Sequence, residues 1–94
     1  YNSQNKTIIL DVRNDNEFDK YRFKNVIHCE LNNLDNIIKT KQKDKEILIH
    51  CAGGYRSMIA ASILKKHNFK NIINLQRGID YIIHSLQNDN FIEK

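Results

Sequence analysis

The sequence predicts an α/β domain with a mostly parallel sheet of four to five strands flanked by helices. Short apolar, β-branched runs alternate with segments whose apolar residues recur at helical spacing, the order of a strand–helix–strand fold. The chain has 94 residues, enough for one domain that hides roughly two-thirds of its surface on folding. The strand candidates also end at Asp11, His28-Cys29, His50-Cys51 and Leu75-Gln76, and open sheets of this kind bind ligands beyond such carboxyl ends.

Taken in order, Thr7-Ile8-Ile9-Leu10-Asp11-Val12 is a continuous apolar run ending in charge, as in a strand buried on both faces. Asn14 caps a short helix, with Glu17 three residues on completing a capping box. Phe18, Tyr21 and Phe23 anchor that helix and its exit. Asn25-Val26-Ile27-His28-Cys29 reads as a second, shorter strand. Asn32 or Asn33 caps a helix over Leu34 to Lys39, where Leu34, Ile37 and Ile38 fall at i, i+3 and i+4. The lysine-rich turn from Thr40 to Lys45 leads into a third strand, Glu46 to His50. Met58 to His67 reads as a helix with Ala60, Ile63, Leu64 and His67 on one stripe; Lys65, Lys66 and Asn68 supply its stop signals. Lys70 to Leu75 is the fourth strand. Gly78 opens a last helix carrying Ile79, Ile82, Ile83 and Leu86, and the tail from Gln87, polar apart from Phe91 and Ile92, is expected to fray. Crossovers between the parallel strands should be right-handed.

Charge and composition narrow the partners. Fifteen Lys and Arg against eleven Asp and Glu give a formal charge of +4. The lysines are scattered, and their one loose cluster at Lys39, Lys41, Lys43 and Lys45 is diluted by Asp44 and Glu46. No base-reading motif or aromatic-basic platform accompanies them, so no nucleic-acid partner is expected. Two cysteines do not make a disulfide framework, and a reducing cytoplasmic setting is expected. No apolar run reaches the length of a membrane span, and the polar opening Tyr1 to Lys6 is no signal peptide. The chain opens on tyrosine rather than methionine, so the expectation is a single domain over residues 1–94 that is processed or trimmed from something longer.

The chemistry concentrates in Ile47-Leu48-Ile49-His50-Cys51-Ala52-Gly53-Gly54-Tyr55-Arg56-Ser57. The chain has three glycines and no proline, yet two glycines stand together two residues after Cys51. A cysteine on a tight strand-to-helix loop sits where backbone N–H groups converge and where a helix N-terminus favours negative charge. A thiol with a pKa near 8.5 is only about 7% thiolate at about pH 7.4, so lowering that pKa makes the nucleophile. Gly53 and Gly54 let the backbone bend around the sulfur, and Arg56 offers a permanently charged planar fork to an anion. A cysteine alone would read as a core residue; cysteine, paired glycines, arginine and serine between a strand and a helix read as nucleophilic chemistry.

These residues resemble the rhodanese-like family of sulfurtransferases. Ile9-Leu10-Asp11-Val12-Arg13 followed by Glu17-Phe18 is similar to that family's opening signature, and Val26-Ile27-His28-Cys29-Glu30-Leu31 to its second strand. Ile49 to Ser57 is similar to its active-site loop, and Asn74-Leu75-Gln76-Arg77-Gly78-Ile79 to the segment after its last strand. The likeness runs from Ile8 to about Ile83. It implies a three-layer rhodanese-like fold and a persulfide relay. Cys51 takes a sulfane sulfur from thiosulfate or a low-molecular-weight persulfide, and a thiol or cyanide then accepts it. The implied catalytic residues are Cys51 and Arg56, with Ala52, Gly53, Gly54, Tyr55, Ser57 and Asp11 about the substrate, and Asp11 and Arg13 bracing the site. No metal or organic cofactor is implied. The Ala-Gly-Gly-Tyr-Arg-Ser wording also resembles rhodanese domains fused behind metallo-β-lactamase-fold persulfide-processing enzymes, which implies a fused or partner sulfur-metabolism enzyme. The chain departs from the family pattern at Tyr21-Arg22-Phe23, where Gly-His-Ile is frequent, at Glu30, where proline is usual, and at Tyr81, which supplies the late aromatic. The family's initial strand and helix would precede the Asp-Val-Arg strand, where only Tyr1 to Lys6 stand here.

Three other readings are open to the same residues. A cysteine phosphatase or arsenate reductase places five residues between cysteine and arginine, but only four separate Cys51 from Arg56, a loop better suited to sulfur than to a phosphate ester. A binding or regulatory module would keep the fold without turnover. Zinc could in principle use His28-Cys29 and His50-Cys51, but adjacent strand residues point to opposite faces and no familiar spacing is met. Cys29 then reads as a packed side chain, and His50 as a support for the loop.

Overall fold

A computed structural model describes residues 7–76, 78–79 and 92–93. Strand β1 is Ile8–Asp11, helix α1 Asp15–Lys20, β2 Arg22–Phe23, β3 Ile27–His28, α2 Asp35–Thr40, β4 Glu46–His50, α3 Tyr55–Lys66, β5 Asn71–Asn74 and β6 Ile92–Glu93. The main sheet has the order β3-β1-β4-β5, and every pairing in it is parallel. β1 and β4 lie in register from Ile8 opposite Ile47 to Asp11 opposite His50. Their apolar side chains fill the centre: Leu10, Ile47 and Ile49 are fully buried beside Ala60, Leu64 and Phe69. The chain steps outward from β1 to β3 and then back across to β4 and β5. With right-handed crossovers, that reversal puts α1 on one face and α2 and α3 on the other. It also places the topological switch point, where open sheets of this kind bind ligands, at the carboxyl ends of β1 and β4.

Local chemistry accounts for the helix ends. Asn14 accepts the Glu17 N–H at 3.0 Å, and Glu17 accepts the Asn14 N–H at 3.1 Å, so the expected capping box forms. α3 ends as its sequence predicts. Asn68 adopts φ 71°, its N–H donates to the Lys65 carbonyl, and the Phe69 N–H reaches back to the Leu64 carbonyl at 3.1 Å. This double bond pattern seals the last turn and buries Phe69 in the core.

Several boundaries differ from expectation. Helix α3 begins at Tyr55, one turn before Met58, because Gly54 provides the left-handed residue that turns the loop into the helix. The cap of α2 is neither Asn32 nor Asn33; both sit in a 3₁₀ turn, Leu31–Asn33. That turn runs into α2, so its backbone carbonyls bond the incoming N–H groups, Leu34 to Leu31 among them, and no side-chain cap forms. The second strand shrinks to Ile27–His28 because Asn25 is left-handed at φ 59°, in a turn with Lys24. The tail was expected to fray, yet Ile92–Glu93 pairs antiparallel with Arg22–Phe23. Backbone pairing needs no apolar run, only a strand with a free edge, and the segment before β3 offers one. Of the expected last helix, Gly78 and Ile79 are helical, while Ile82, Ile83 and Leu86 lie outside the described residues. No helix among the described residues is long and apolar enough to cross a membrane.

Candidate active site

Among the described residues, the buried polar side chains are Asp11, Arg13, His50 and Ser57. All four belong to the carboxyl ends of β1 and β4 or to the start of α3. Burying a polar group costs free energy unless it is bonded, so their gathering in one place marks the site.

Cys51 follows directly on β4 and is 1% exposed. The backbone N–H of Gly54 donates to its Sγ at 3.1 Å and that of Ser57 at 3.3 Å. Ser57 Oγ lies 3.6 Å from the sulfur and 3.1 Å from the Gly54 carbonyl oxygen, so its one hydroxyl proton turns to the carbonyl beside a thiol and to the sulfur beside a thiolate. Burial pushes the Cys51 thiol up, but the Ser57 hydroxyl and the amides of Ser57, Gly54 and Gly53 outweigh it and hold the thiol below its ordinary range. A nest of amides thus favours the ionised form of a buried sulfur. Cys29, on the strand on the far side of β1, has the opposite environment. Its thiol donates to the Asn33 carbonyl at 3.2 Å, and burial pushes it up.

Two glycines permit this geometry. Gly54 has φ 106°, and a Cβ there would fall 1.7 Å from the Gln76 carbonyl oxygen. Gly78 has φ 73°, and a Cβ there would fall 2.4 Å from the carbonyl oxygens of both Cys51 and Ala52. The loop after β5 therefore lies directly on the cysteine loop, and the Ile79 N–H donates to the Cys51 carbonyl at 3.0 Å. Gly53 is different: nothing lies within 4 Å of where its Cβ would stand.

Beneath the loop, Arg13 clasps Asp11. Its Nε is 3.0 Å from both carboxylate oxygens, and Nη2 donates to Oδ2 at 2.7 Å and to the Tyr21 carbonyl at 2.7 Å. Asp11 is fully buried and its oxygens are turned to Arg13, so it braces the strand ends. The bracing role expected of Asp11 and Arg13 is the one these bonds describe. His50 is also fully buried, with its ring edge against Phe23 and Nε2 3.7 Å from Asp11 Oδ2. Neither ring nitrogen has a hydrogen bond of normal geometry among the described residues, and burial lowers its pKa to about 4.

The other loop residues divide. Gly53, Gly54 and Ser57 turn amides toward the sulfur. Ala52 turns its carbonyl to the Gly78 side, and Tyr55 is 71% exposed on the first turn of α3. Arg56 does not extend a free fork over the cysteine. Its Nη1 donates to Glu17 Oε1 at 2.6 Å and its Nη2 to Oε2 at 2.9 Å. Sequence reasoning found Glu17 as a helix cap and missed this second role, because nothing local links positions 39 residues apart. It also left Gly78 outside the site, although a glycine just past the last strand was the available signal.

Such a fold and loop define an α/β domain that holds a buried cysteine against backbone N–H groups at the switch point of a parallel sheet. The chain belongs to the rhodanese-like domain family, whose sequence pattern matches residues 2–84. It is 37% identical over 79 residues to a tRNA uridine(34) hydroxylase of Onion yellows phytoplasma, covering 78% of this chain and 26% of that protein. It is also 37% identical over 71 residues to the putative sulfur carrier protein YrkF of Bacillus subtilis, covering 76% of this chain and 38% of that one. The chain thus spans about a quarter to two-fifths of these relatives. In fold, it matches the crystal structure of a rhodanese-like domain of the Anabaena Alr3790 protein with a TM-score of 0.81 at 19% identity, covering 94% of this chain and 99% of that chain.

Proposed function

We propose that the domain is a sulfurtransferase in which Cys51 carries a sulfane sulfur. The observation that carries this reading is the pair of N–H groups, from Gly54 and Ser57, aimed at Cys51 Sγ. The Cys51 thiolate attacks the outer sulfur of thiosulfate or a low-molecular-weight persulfide. A new S–S bond forms on Cys51, the donor's S–S bond breaks, and sulfite or a thiolate leaves with the electron pair. An acceptor thiol or cyanide then attacks the outer sulfur of the Cys51 persulfide and returns the thiolate. The amide nest suits the terminal sulfur anion of that persulfide as it suits the thiolate. Thiol–disulfide-type displacement of this kind needs no metal or organic cofactor. A reducing cytoplasm, where free thiols persist, is the setting for them.

Intact-mass measurement tests the reading: the protein, incubated with thiosulfate or with a low-molecular-weight persulfide, should gain the mass of one sulfur atom, and Cys51→Ser should gain none. Sulfur uptake by Cys51→Ser overturns the mechanism. No uptake from either donor favours a binding module that keeps the fold.

A second reading rests on the relatives. The phytoplasma relative is named a tRNA uridine(34) hydroxylase, and this domain could contribute its reactive thiol to such a protein. Cys51-dependent hydroxylation of uridine 34 in a tRNA, with no sulfur uptake by the protein, would favour that reading over sulfur transfer.

A further inference from the structure

Cys51 follows directly on β4 and Arg56 stands on the first turn of α3, five residues on, and the Cys51 charge contributes to raising the Arg56 pKa, so the two groups are electrostatically coupled. A free guanidinium there would draw anions toward the sulfur. Instead, Glu17 takes the guanidinium in a two-point clasp, with both residues about one-third exposed. The clasp is persistent. The Arg56 hydrogen bond outweighs burial and lowers the Glu17 pKa to about 2, so no ordinary assay pH neutralises it. The thiolate therefore faces its donor with amide dipoles close by and a cation whose charge is balanced. Thiosulfate is a dianion, and bringing it to a thiolate against that balance is costly at distances within a Debye length of about 8 Å.

We infer that Glu17, through its clasp on Arg56, sets the charge of the sulfur donor that the Cys51 site accepts, favouring uncharged or cationic persulfides over the thiosulfate dianion. This rests on the sulfur-transfer reading. The bond changes are those of the first half-reaction: the Cys51 sulfur bonds the donor's outer sulfur, and the donor's remaining fragment leaves with the electron pair. Glu17 touches none of these atoms. It is a positioning residue that acts through the charge of Arg56.

Glu17→Gln isolates that charge. Glutamine keeps the capping box with Asn14 and can still accept from Arg56, so α1 retains its local bonds. The experiment compares kcat/KM for thiosulfate with that for cysteamine persulfide, which carries a cationic amine, in wild type, Glu17→Gln and Glu17→Gln/Arg56→Gln. In Glu17→Gln the preference should move toward thiosulfate by roughly five- to tenfold, mainly through KM, and the gain should shrink as salt is raised. The double substitution should erase the gain, since it removes the cation that Glu17 masks. A change of both donors by one common factor, or a gain that survives the double substitution, overturns the inference while sulfur transfer stands. Wild type that takes sulfur from neither donor overturns the sulfur-transfer reading itself.

Discussion

Gly78 rests on the carbonyl of Cys51, so close that a single methyl group on Gly78 would stand 2.4 Å from that oxygen. The contact ties the loop after β5 to the cysteine loop. It makes a glycine well along the chain a condition for the geometry around the sulfur.

Gly78→Ala should therefore unseat the cysteine loop. The new Cβ meets two backbone oxygens that cannot rotate away, and the left-handed backbone at φ 73° adds strain. Thermal denaturation should show a loss of at least about 1–3 kcal/mol. Gly53→Ala, with open space at its Cβ, should unfold within about 1 kcal/mol of wild type. Equal losses in the two variants would contradict the interlocking of the loops.

Ser57→Ala removes the hydroxyl that favours the ionised sulfur while leaving the Ser57 amide in place. The Cys51 thiol should titrate at higher pH, and its alkylation by iodoacetamide at neutral pH should slow several-fold. An unchanged pH midpoint for alkylation would assign the thiolate to the backbone amides alone.

His50 links stability to acid. Burial keeps the folded-state pKa at about 4 against an ordinary 6.5, with Asp11 opposing that shift and Arg13 adding to it. Between those values the unfolded chain binds the proton and the folded one does not, so stability falls as pH drops from about 6.5 toward 4. The contribution of His50 between pH 7 and pH 5 should be a loss of roughly 2 kcal/mol. Urea titrations at the two pH values should show that loss in wild type and a flatter dependence in His50→Leu.

Asp11→Asn leaves the Arg13 guanidinium buried without its counter-charge. A broken buried pair of this kind costs about 3–5 kcal/mol. Chemical denaturation should show a loss of that size, and a loss below about 1 kcal/mol would mean that the pair does not brace the strand ends.

The fold was legible because its signals are local. The apolar runs at Ile8 and Ile47 and the box from Asn14 to Glu17 each carry their own instructions, and each forms as written. The turn around Cys51 was legible for the same reason: cysteine, glycines and helix start are consecutive. What escaped was set by contacts distant in sequence. The Glu17–Arg56 clasp joins α1 to α3, and the Arg22–Phe23 pairing with Ile92–Glu93 joins a strand before β3 to the far end of the chain. Neither leaves a periodicity or a spacing to read. The 3₁₀ turn at Leu31–Asn33 escaped differently, because two asparagines in a row look like caps even where backbone carbonyls have already taken the helix N–H groups.

The placement of β1 between β3 and β4 has a kinetic consequence. Cys29 and Cys51 each follow a residue registered with Asp11, His28 on one side and His50 on the other. Two strand spacings separate them, about 9.5 Å between Cα atoms, beyond the roughly 7 Å that a disulfide can bridge. Without backbone movement, Cys29 cannot close a disulfide with Cys51. A Cys51 oxidised to a mixed disulfide is then released by a thiol from solution, and the lifetime of that state follows the concentration of the incoming thiol.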